Sequence, residues 1–276
     1  MQLFSSWTGS DFLLFYAMLL GLGTYAAWWI PAHLRDAGRP DESADPENLA
    51  ILAGGASRFA DSVLADLFAR GALVEAGAGK MAVAQRSLPA TPAGKDLLAF
   101  DAPIALTDAR KRLGVHAERI AARLRRNGLL LRSEQENRLR LLSITPFAAL
   151  LLLGLYRQRA GSALGEPTGF LIALLLLTLA LAVFRFVKSD PRTTAGIASV
   201  ERARGQASRL ARAPRPEEAA LAVALFGTAV LVGTPWEPVH AMRQQSSGDG
   251  GGSGGDTSSD GGGSGCGGGG CGGCGG

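Results

Sequence analysis

Two long apolar stretches, separated by a short polar loop, dominate the hydrophobic pattern of this chain. Residues 169–187 read GFLIALLLLTLALAVFRFV and carry a single cation, Arg185, while residues 141–156 carry no charge. Residues 157–168 between them are polar and rich in turn-forming residues. A helix of about 20 residues spans the roughly 30 Å hydrocarbon core of a bilayer and satisfies its own backbone hydrogen bonds there. The pattern therefore predicts a transmembrane helical hairpin over 143–187 rather than two core helices of a soluble protein.

A third apolar stretch, near the N-terminus, predicts another membrane span. It covers residues 12–30 and defines a first region over 1–30. No Lys or Arg precedes the stretch, which argues against a cleaved signal peptide, and Pro31 is expected to end the helix. The stretch closes on aromatic residues of the kind found at membrane surfaces, namely Tyr25, Trp28 and Trp29.

The cations predict how these spans are oriented. Arg35 and Arg39 follow the first span directly, whereas the segment before it is neutral to acidic. Residues 188–218 hold seven cations against four acids, which is typical of a basic helical segment beside a membrane. Because cytoplasmic loops are enriched in Lys and Arg, the N-terminus is predicted to lie outside, with residues 31–140 and 188–218 in the cytoplasm. The bilayer is the predicted partner. For the basic segment at 188–218, a role in setting the membrane topology is favoured over contact with anionic lipid.

Residues 31–142 combine short predicted helices with short strands. Asp45 followed by proline is typical of a helix start, because the carboxylate caps the first turn and proline fits the first helical position. Helices are predicted over 46–53 and 56–70, and Gly54-Gly55 separates them.

The segments 72–75 and 81–84 flank a glycine-rich turn and predict a β-hairpin after Gly71. Helix, glycine break, helix and hairpin together outline a small winged-helix unit. A weak repeat relates residues 63–75 to 120–132 and predicts a second unit in tandem, although helix–glycine–strand sequences also recur by chance. The second unit would have helices over 107–113 and 115–127 and a hairpin that pairs 129–132 with 138–142.

Residues 188–243 form a basic region that ends in an apolar block. The block covers 219–233 and, up to Pro235, is only 17 residues long, with mostly Ala, Val and Gly. A fourth span would place the C-terminus outside, whereas a helix packed on the cytoplasmic domain would keep it inside. The short length favours the packed helix.

Residues 244–276 are predicted to be a disordered tail. From residue 248 onward, 18 of 29 residues are glycine, so the segment buries little surface to offset the entropy of ordering. All three cysteines lie here in a C-x4-C-x2-C spacing, which overlaps an iron–sulfur pattern that needs a fourth cysteine. A low-complexity composition is favoured over a metal site, for which the weak candidates are Cys266, Cys271 and Cys274.

No set of residues predicts catalysis, so the chain is predicted to be neither an enzyme nor a cofactor-binding protein. His33, His116 and His240 lie far apart, and no Walker A or nucleophile-elbow pattern is present. A cluster of cations around the second predicted unit suits contact with DNA phosphates. Its closeness to a membrane disfavours nucleic acid as the partner. The cations are Arg110, Lys111, Arg112, Arg119, Arg123, Arg125 and Arg126.

Four segments stand in order before the glycine-rich tail. They read LAGGASRFADSVLADLFARGALV at 52–74, LGLYRQRAGSALGEPTGFL at 153–171, RTTAGIASV at 192–200 and AVALFGTAVL at 222–231. Together with the tail they resemble a family of uncharacterised bacterial membrane proteins, in which a conserved region precedes a low-complexity tail rich in Gly, Cys and Ser. The resemblance implies a bacterial plasma (inner) membrane location. It implies no assigned activity and supplies no site residues.

These patterns predict a mainly α multi-pass membrane protein with three spans. A cytoplasmic helical domain with small β-hairpins is expected between and after the spans, winged-helix-like in one unit or in two tandem units. The predicted function is a non-enzymatic scaffold or interaction protein that carries a Gly/Cys-rich tail and binds an unknown protein partner. The alternative is a membrane-tethered regulator that binds DNA through the winged-helix-like units.

Overall fold

The computed structural model describes residues 9–39, 45–77, 79–163 and 169–248. Its elements divide into an apolar bundle and a head domain. The apolar bundle consists of α1 (Gly9–Leu34), α5 (Ser133–Ala163) and α6 (Gly169–Val187). The head domain consists of α2 (Pro46–Ala69), β1 (Leu73–Glu75), β2 (Lys80–Val83), α3 (Pro92–Leu98), β3 (Ile104–Ala105), α4 (Leu106–Arg126), α7 (Thr194–Gln206), α8 (Ala219–Phe226) and α9 (Glu237–Gly248), with short 3-10 turns at Ser208–Ala211, Pro216–Glu218 and Thr228–Leu231.

The apolar bundle confirms the three apolar helices that the hydrophobic pattern predicts. Each helix is long and apolar enough to cross a membrane, and the three together are consistent with membrane localisation. Large apolar side chains remain exposed on the outer faces of all three helices, an arrangement that is unfavourable in water. The inner faces share a small core that includes Phe12, Tyr16, Phe147, Leu150 and Leu175.

The ends of two bundle helices differ from the predicted ones. α1 continues to Leu34, so the prediction that Pro31 ends the helix is wrong. α5 begins at Ser133 and is longer than the predicted apolar arm. Residues 157–163 of the predicted loop belong to α5, and residues 164–168 lie outside the described part of the chain.

A polar contact joins the three helices inside the apolar bundle. The Tyr16 hydroxyl donates to the Leu150 carbonyl oxygen at 3.2 Å and lies 3.1 Å from the Thr178 hydroxyl. Gly154 makes the close approach possible, since a Cβ there would lie 2.7 Å from Leu175 Cδ2 and 3.0 Å from Tyr16 Cε2. Small residues and interhelical hydrogen bonds are the usual sources of helix association in a lipid environment.

The head domain confirms the predicted helix break and first hairpin. Asp45 accepts a hydrogen bond from the Glu47 amide as the cap of α2, and the backbone leaves helical geometry at Gly54 and Gly55. Gly71 follows the helix with a positive φ of 70°, which glycine adopts without strain. The hairpin β1–β2 forms in antiparallel register, with Leu73 opposite Val83.

The winged-helix-like arrangement is not confirmed, and the second unit is not formed as predicted. α4 is one continuous helix rather than two, and residues 138–142 lie within α5 instead of a hairpin strand. Leu130 forms an isolated antiparallel bridge with Arg192, so the apolar run at 129–131 pairs with a distant segment. The head domain instead contains α3 and the short strand β3, which adds to the hairpin in the order β1-β2-β3.

The apolar block at 219–233 belongs to the head domain. α8 is only eight residues long and packs against α2. The Arg204 side chain donates to the Leu225 carbonyl oxygen at the end of α8. The packed helix is therefore the correct alternative, and the fully buried residues of α8 are Ala219, Ala222, Val223, Ala224 and Leu225.

Candidate functional site at the junction of the apolar bundle and the head domain

Three connecting segments meet where the apolar bundle ends and the head domain begins. We call the meeting point the junction, formed by residues 35–39 after α1, residues 128–132 before α5 and residues 188–195 after α6. Backbone hydrogen bonds run between all three segments and tie the head domain to the apolar bundle at this point. They are Arg39 N to Gly128 O at 3.3 Å, Leu131 N to Pro191 O at 2.8 Å, Thr193 N to Leu129 O at 3.1 Å, Thr194 N to Asp36 O at 3.0 Å and Ala195 N to Ala37 O at 2.9 Å.

Two glycines allow these segments to approach closely. Gly38 has a φ of 70°, and a Cβ on it would lie 2.3 Å from the Gly128 carbonyl oxygen. A Cβ on Gly196 would lie 2.2 Å from the Leu129 carbonyl oxygen. Both distances are far shorter than any real Cβ contact, so each position requires glycine.

An ion-pair network connects the segments that follow α1 and α6. Asp190 accepts hydrogen bonds from the Arg192 guanidinium at 2.9 and 3.1 Å, and Arg35 lies 3.2 Å from the same carboxylate. Arg35 also donates to the Arg192 carbonyl oxygen at 2.9 Å. Burial of Asp190 opposes ionisation, but the hydrogen bonds and charges of Arg192 and Arg35 outweigh it and lower the pKa of the carboxyl group.

The lowered pKa of Asp190 predicts a junction that weakens in acid. A carboxyl group with a depressed folded-state pKa stabilises the fold fully above its unfolded-state pKa of about 3.9, and this contribution disappears as the pH falls through the folded-state value. We expect the unfolding temperature of the detergent-solubilised protein to fall as the pH is lowered below about 4. Asp190→Asn should reduce that pH dependence, and an unchanged dependence in this variant would contradict the assignment.

Pro31 leaves one carbonyl of α1 without its usual helical donor. Proline has no amide hydrogen, so the Ala27 carbonyl oxygen, four residues earlier, receives no backbone hydrogen bond from it. Arg185 of α6 donates its Nε–H to this oxygen at 3.1 Å and its Nη1–H to the Lys188 carbonyl oxygen at 3.1 Å. The only cation of the most apolar stretch therefore compensates for the proline and explains why α1 continues past it.

A double-mutant cycle tests this compensation. Arg185→Gln should destabilise the apolar bundle by about 1–3 kcal/mol, because a buried carbonyl loses its donor. Pro31→Ala restores the backbone donor to Ala27, so the cost of Arg185→Gln should be smaller in that background. Thermal unfolding in detergent measures both costs, and equal costs in the two backgrounds would mean that Arg185 does not serve the proline.

Aromatic side chains and cations lie together at the junction end of the apolar bundle. Trp28 is 74% exposed, and the Arg140 guanidinium lies 5.9 Å from the Phe186 ring centroid. Lys188 Nζ lies 5.5 Å from the Phe184 ring centroid. Such a band of aromatic residues next to cations is typical of the level at which a helix leaves the hydrocarbon core.

The interior of the junction has no room for a ligand. A cavity of about 20 Å³ lies between Arg35, Arg140, Arg185 and Asp190, which is the space of a single water molecule. Arg140 is also bound to Glu136 and to the Ser189 hydroxyl. The inner charges of the junction therefore pair with one another across its segments.

The three histidines do not come together. His116 Nε2 lies 2.7 Å from Asp96 Oδ2 and ties α4 to α3. His33 stacks on Trp29 in α1, and His240 lies 3.0 Å from the Thr228 hydroxyl in the head domain. Each histidine has a structural partner of its own.

The candidate DNA-contacting cations divide into two groups. Arg110 is paired with Asp61 at 2.9 Å, and Arg123 donates to Asn48 Oδ1 at 2.7 Å. Arg119 lies 3.5 Å from His116 Nδ1. The second group consists of the candidate cations that are exposed on α4 and make no such contacts with neighbouring side chains. They are Lys111, Arg112, Arg125 and Arg126.

A buried ion cluster, not anticipated from the sequence, joins three helices of the head domain. Asp61 of α2 is fully buried and pairs with Arg110 of α4 and Arg243 of α9. The sequence signal that could have revealed this cluster is an acidic residue of α2 placed between the apolar residues Phe59 and Leu64. A charge at such a position is almost never buried without a partner.

The candidate metal ligands cannot be compared with the structure. Cys266, Cys271 and Cys274 lie outside the described residues. Within residues 9–39, 45–77, 79–163 and 169–248, no three His, Cys, Asp or Glu side chains are arranged to hold a metal ion.

No protein-family model, curated protein or solved structure matches this chain. The resemblance to a bacterial membrane family therefore stays a prediction from the four segments. The junction and the buried ion cluster provide the structural basis for a functional proposal.

Proposed function

We propose that this protein is a non-enzymatic membrane scaffold that holds a small head domain, and the start of its Gly/Cys-rich tail, in a fixed position at the surface of a bacterial inner membrane. The observation that carries the proposal is the set of backbone hydrogen bonds across the junction. A domain attached in this way presents the same surface to the membrane and to a protein partner at all times. A flexible tether would not provide that arrangement.

The head domain also fixes the point from which the tail departs. α9 is the last described helix, and Arg243 in it pairs with the fully buried Asp61. The Val239 and Met242 side chains of the same helix are buried in the head-domain core. These contacts support the view that the tail is presented from a defined site.

The distribution of charge supports a cytoplasmic head domain with the N-terminus outside. The junction carries a clear excess of Arg and Lys, and it lies at one end of all three apolar helices. The packing of α8 in the head domain supports a three-span arrangement with the tail on the same side of the membrane as the head domain.

Distance measurements between spin labels test the scaffold proposal directly. The labels are placed at Met18→Cys on α1 and Val115→Cys on α4, both at exposed positions, in a chain whose three native cysteines are replaced by serine. In lipid nanodiscs we expect one narrow distance distribution. A broad distribution would show a freely moving head domain and would contradict a rigid scaffold.

Thiol labelling in intact cells tests the orientation. The native cysteines at the C-terminus are expected to resist a membrane-impermeant maleimide until the membrane is permeabilised. Labelling of intact cells would place the tail outside and reverse the proposed topology. Resistance of the protein to extraction by alkaline carbonate is the companion result expected for an integral membrane protein.

The DNA-binding alternative predicts a different result with the same nanodisc sample. A regulator should bind a fluorescent duplex with an affinity that falls steeply as salt increases. Replacing Arg125 and Arg126 by Gln should then weaken the binding. Binding of this kind would favour the regulator, whereas a scaffold gives no duplex binding at physiological salt.

A further inference from the structure

The fold gathers cations from three separate segments into one belt around the junction. In residues 35–39, 125–140 and 185–192 there are ten Arg or Lys residues and four Asp or Glu residues. These segments are far apart in sequence but lie side by side through the junction hydrogen bonds. The excess of positive charge at this level is therefore a property of the tertiary structure.

Part of this positive charge is neutralised by ion pairs inside the junction. Arg35 and Arg192 pair with Asp190, and Arg140 pairs with Glu136. The outer part of the belt is formed by exposed cations, which face only two exposed acids, Asp36 and Glu134, in the same segments. We call these cations, apart from Lys188 over the Phe184 ring, the collar: Arg39, Arg125, Arg126, Arg132 and Arg138.

The collar lies at the level of lipid headgroups. α1 ends at Leu34, only six residues after the exposed Trp28, which corresponds to about 9 Å along a helix. The polar region of each bilayer leaflet is about 5–8 Å thick, so α1 ends at the outer edge of this region, and α5 enters it from Ser133. The exposed guanidinium groups near these helix ends are thus placed beside lipid phosphates.

The chemistry of the collar fits one kind of ligand. A guanidinium group forms paired hydrogen bonds with phosphate oxygens, and anionic lipids offer phosphates at a fixed depth without a neutralising choline. Each cation close to such a surface favours association by about fivefold. We propose that the collar binds the headgroups of anionic phospholipids and gives the protein a shell enriched in these lipids on the head-domain side.

This inference rests on the proposed membrane insertion, and its test separates the two. The protein is reconstituted in phosphatidylcholine vesicles, and spin-labelled phosphatidylglycerol and phosphatidylcholine are compared as probes. A motionally restricted component with either probe reports insertion. The ratio of restricted fractions reports the headgroup preference, for which we expect at least threefold in favour of phosphatidylglycerol at low salt and a decrease at high salt.

Matched variants assign the preference to the collar. Replacing Arg125, Arg126, Arg132 and Arg138 together by Gln should bring the ratio close to one, and the corresponding four Lys replacements should retain most of it. The control variant replaces four exposed cations of the head domain by Gln and should leave the ratio unchanged. These cations lie away from the collar, since position 111 is about 21 Å from position 125 along α4. They are Lys80, Lys95, Lys111 and Arg112.

The outcomes are distinguishable. A restricted component with equal ratios for both lipids would overturn the collar proposal and leave the membrane scaffold standing. No restricted component with either probe would overturn both. An equal loss of preference in the control variant would show a general charge effect. Inorganic phosphate should reduce the ratio no more than chloride at the same ionic strength, and a selective loss would identify free phosphate as the occupant.

Discussion

Replacing Asp61 by Asn is expected to destabilise the head domain by about 3–5 kcal/mol, because two partly buried cations lose their shared counter-ion. The Asp61 side chain is 1% exposed and binds Arg110 with one oxygen and Arg243 with the other. The asparagine is nearly isosteric, so the loss comes from charge rather than from a cavity. Since the carboxylate joins α2 to α4 and α9, the variant should also loosen α9.

Thermal and denaturant unfolding of the detergent-solubilised protein, followed by circular dichroism, measures this effect. Limited proteolysis should show earlier cleavage within α9 in the variant. Asp101→Asn provides the matched control, since Asp101 is 85% exposed and pairs with Arg86 at the surface, and its cost should stay within about 0.5 kcal/mol.

A triple variant separates charge from packing. Asp61→Asn combined with Arg110→Met and Arg243→Met removes the charges together, and it should recover a large part of the lost stability. If Asp61→Asn proved no more harmful than Asp101→Asn, the cluster would not hold the three helices together.

Gly196→Ala is expected to disrupt the junction and to cost about 2–3 kcal/mol, because the added Cβ would lie 2.2 Å from a backbone oxygen. That oxygen belongs to Leu129, which accepts hydrogen bonds from the Thr193 amide and the Thr193 hydroxyl. The clash cannot be relieved by rotation of a side chain. Residues 129–131 must move away, and the hydrogen bonds to the segment after α6 must lengthen.

Spin-label distances between positions 18 and 115 should broaden in this variant, and the unfolding temperature should fall. Gly114→Ala is the matched control, because a Cβ at this helical position of α4 meets nothing within 4 Å. Alanine should stabilise the helix there by about 0.5–1 kcal/mol. An unchanged distance distribution in Gly196→Ala would mean that the junction does not fix the head domain.

These two variants address different parts of the proposed scaffold. Asp61 fixes the helix from which the tail departs, and Gly196 fixes the head domain on the bundle. A partner protein that binds only when both are in place should lose affinity in either variant. The collar variant, in contrast, changes the lipid shell and leaves the spin-label distance between positions 18 and 115 unchanged.

The sequence by itself determined the three apolar helices and several local features of the head domain. Continuous apolar composition specifies a lipid-compatible helix without reference to any other segment, since the preference is set by the surrounding solvent. The helix cap at Asp45, the break at Gly54-Gly55 and the turn at Gly71 depend on backbone preferences of one or two residues. Such features are readable because they are local.

The tertiary structure decided the features that depend on contacts between residues far apart in the sequence. Residues 129–131 have the apolar pattern of a hairpin strand, but they pair with the segment after α6 because the ends of the bundle helices bring it close. The block at 219–233 is apolar enough for lipid or for a protein core; its short length only favours the core, and packing against α2 decides for it. Pro31, Arg185 and Asp61 gain their roles from partners on other helices, which a linear pattern does not reveal.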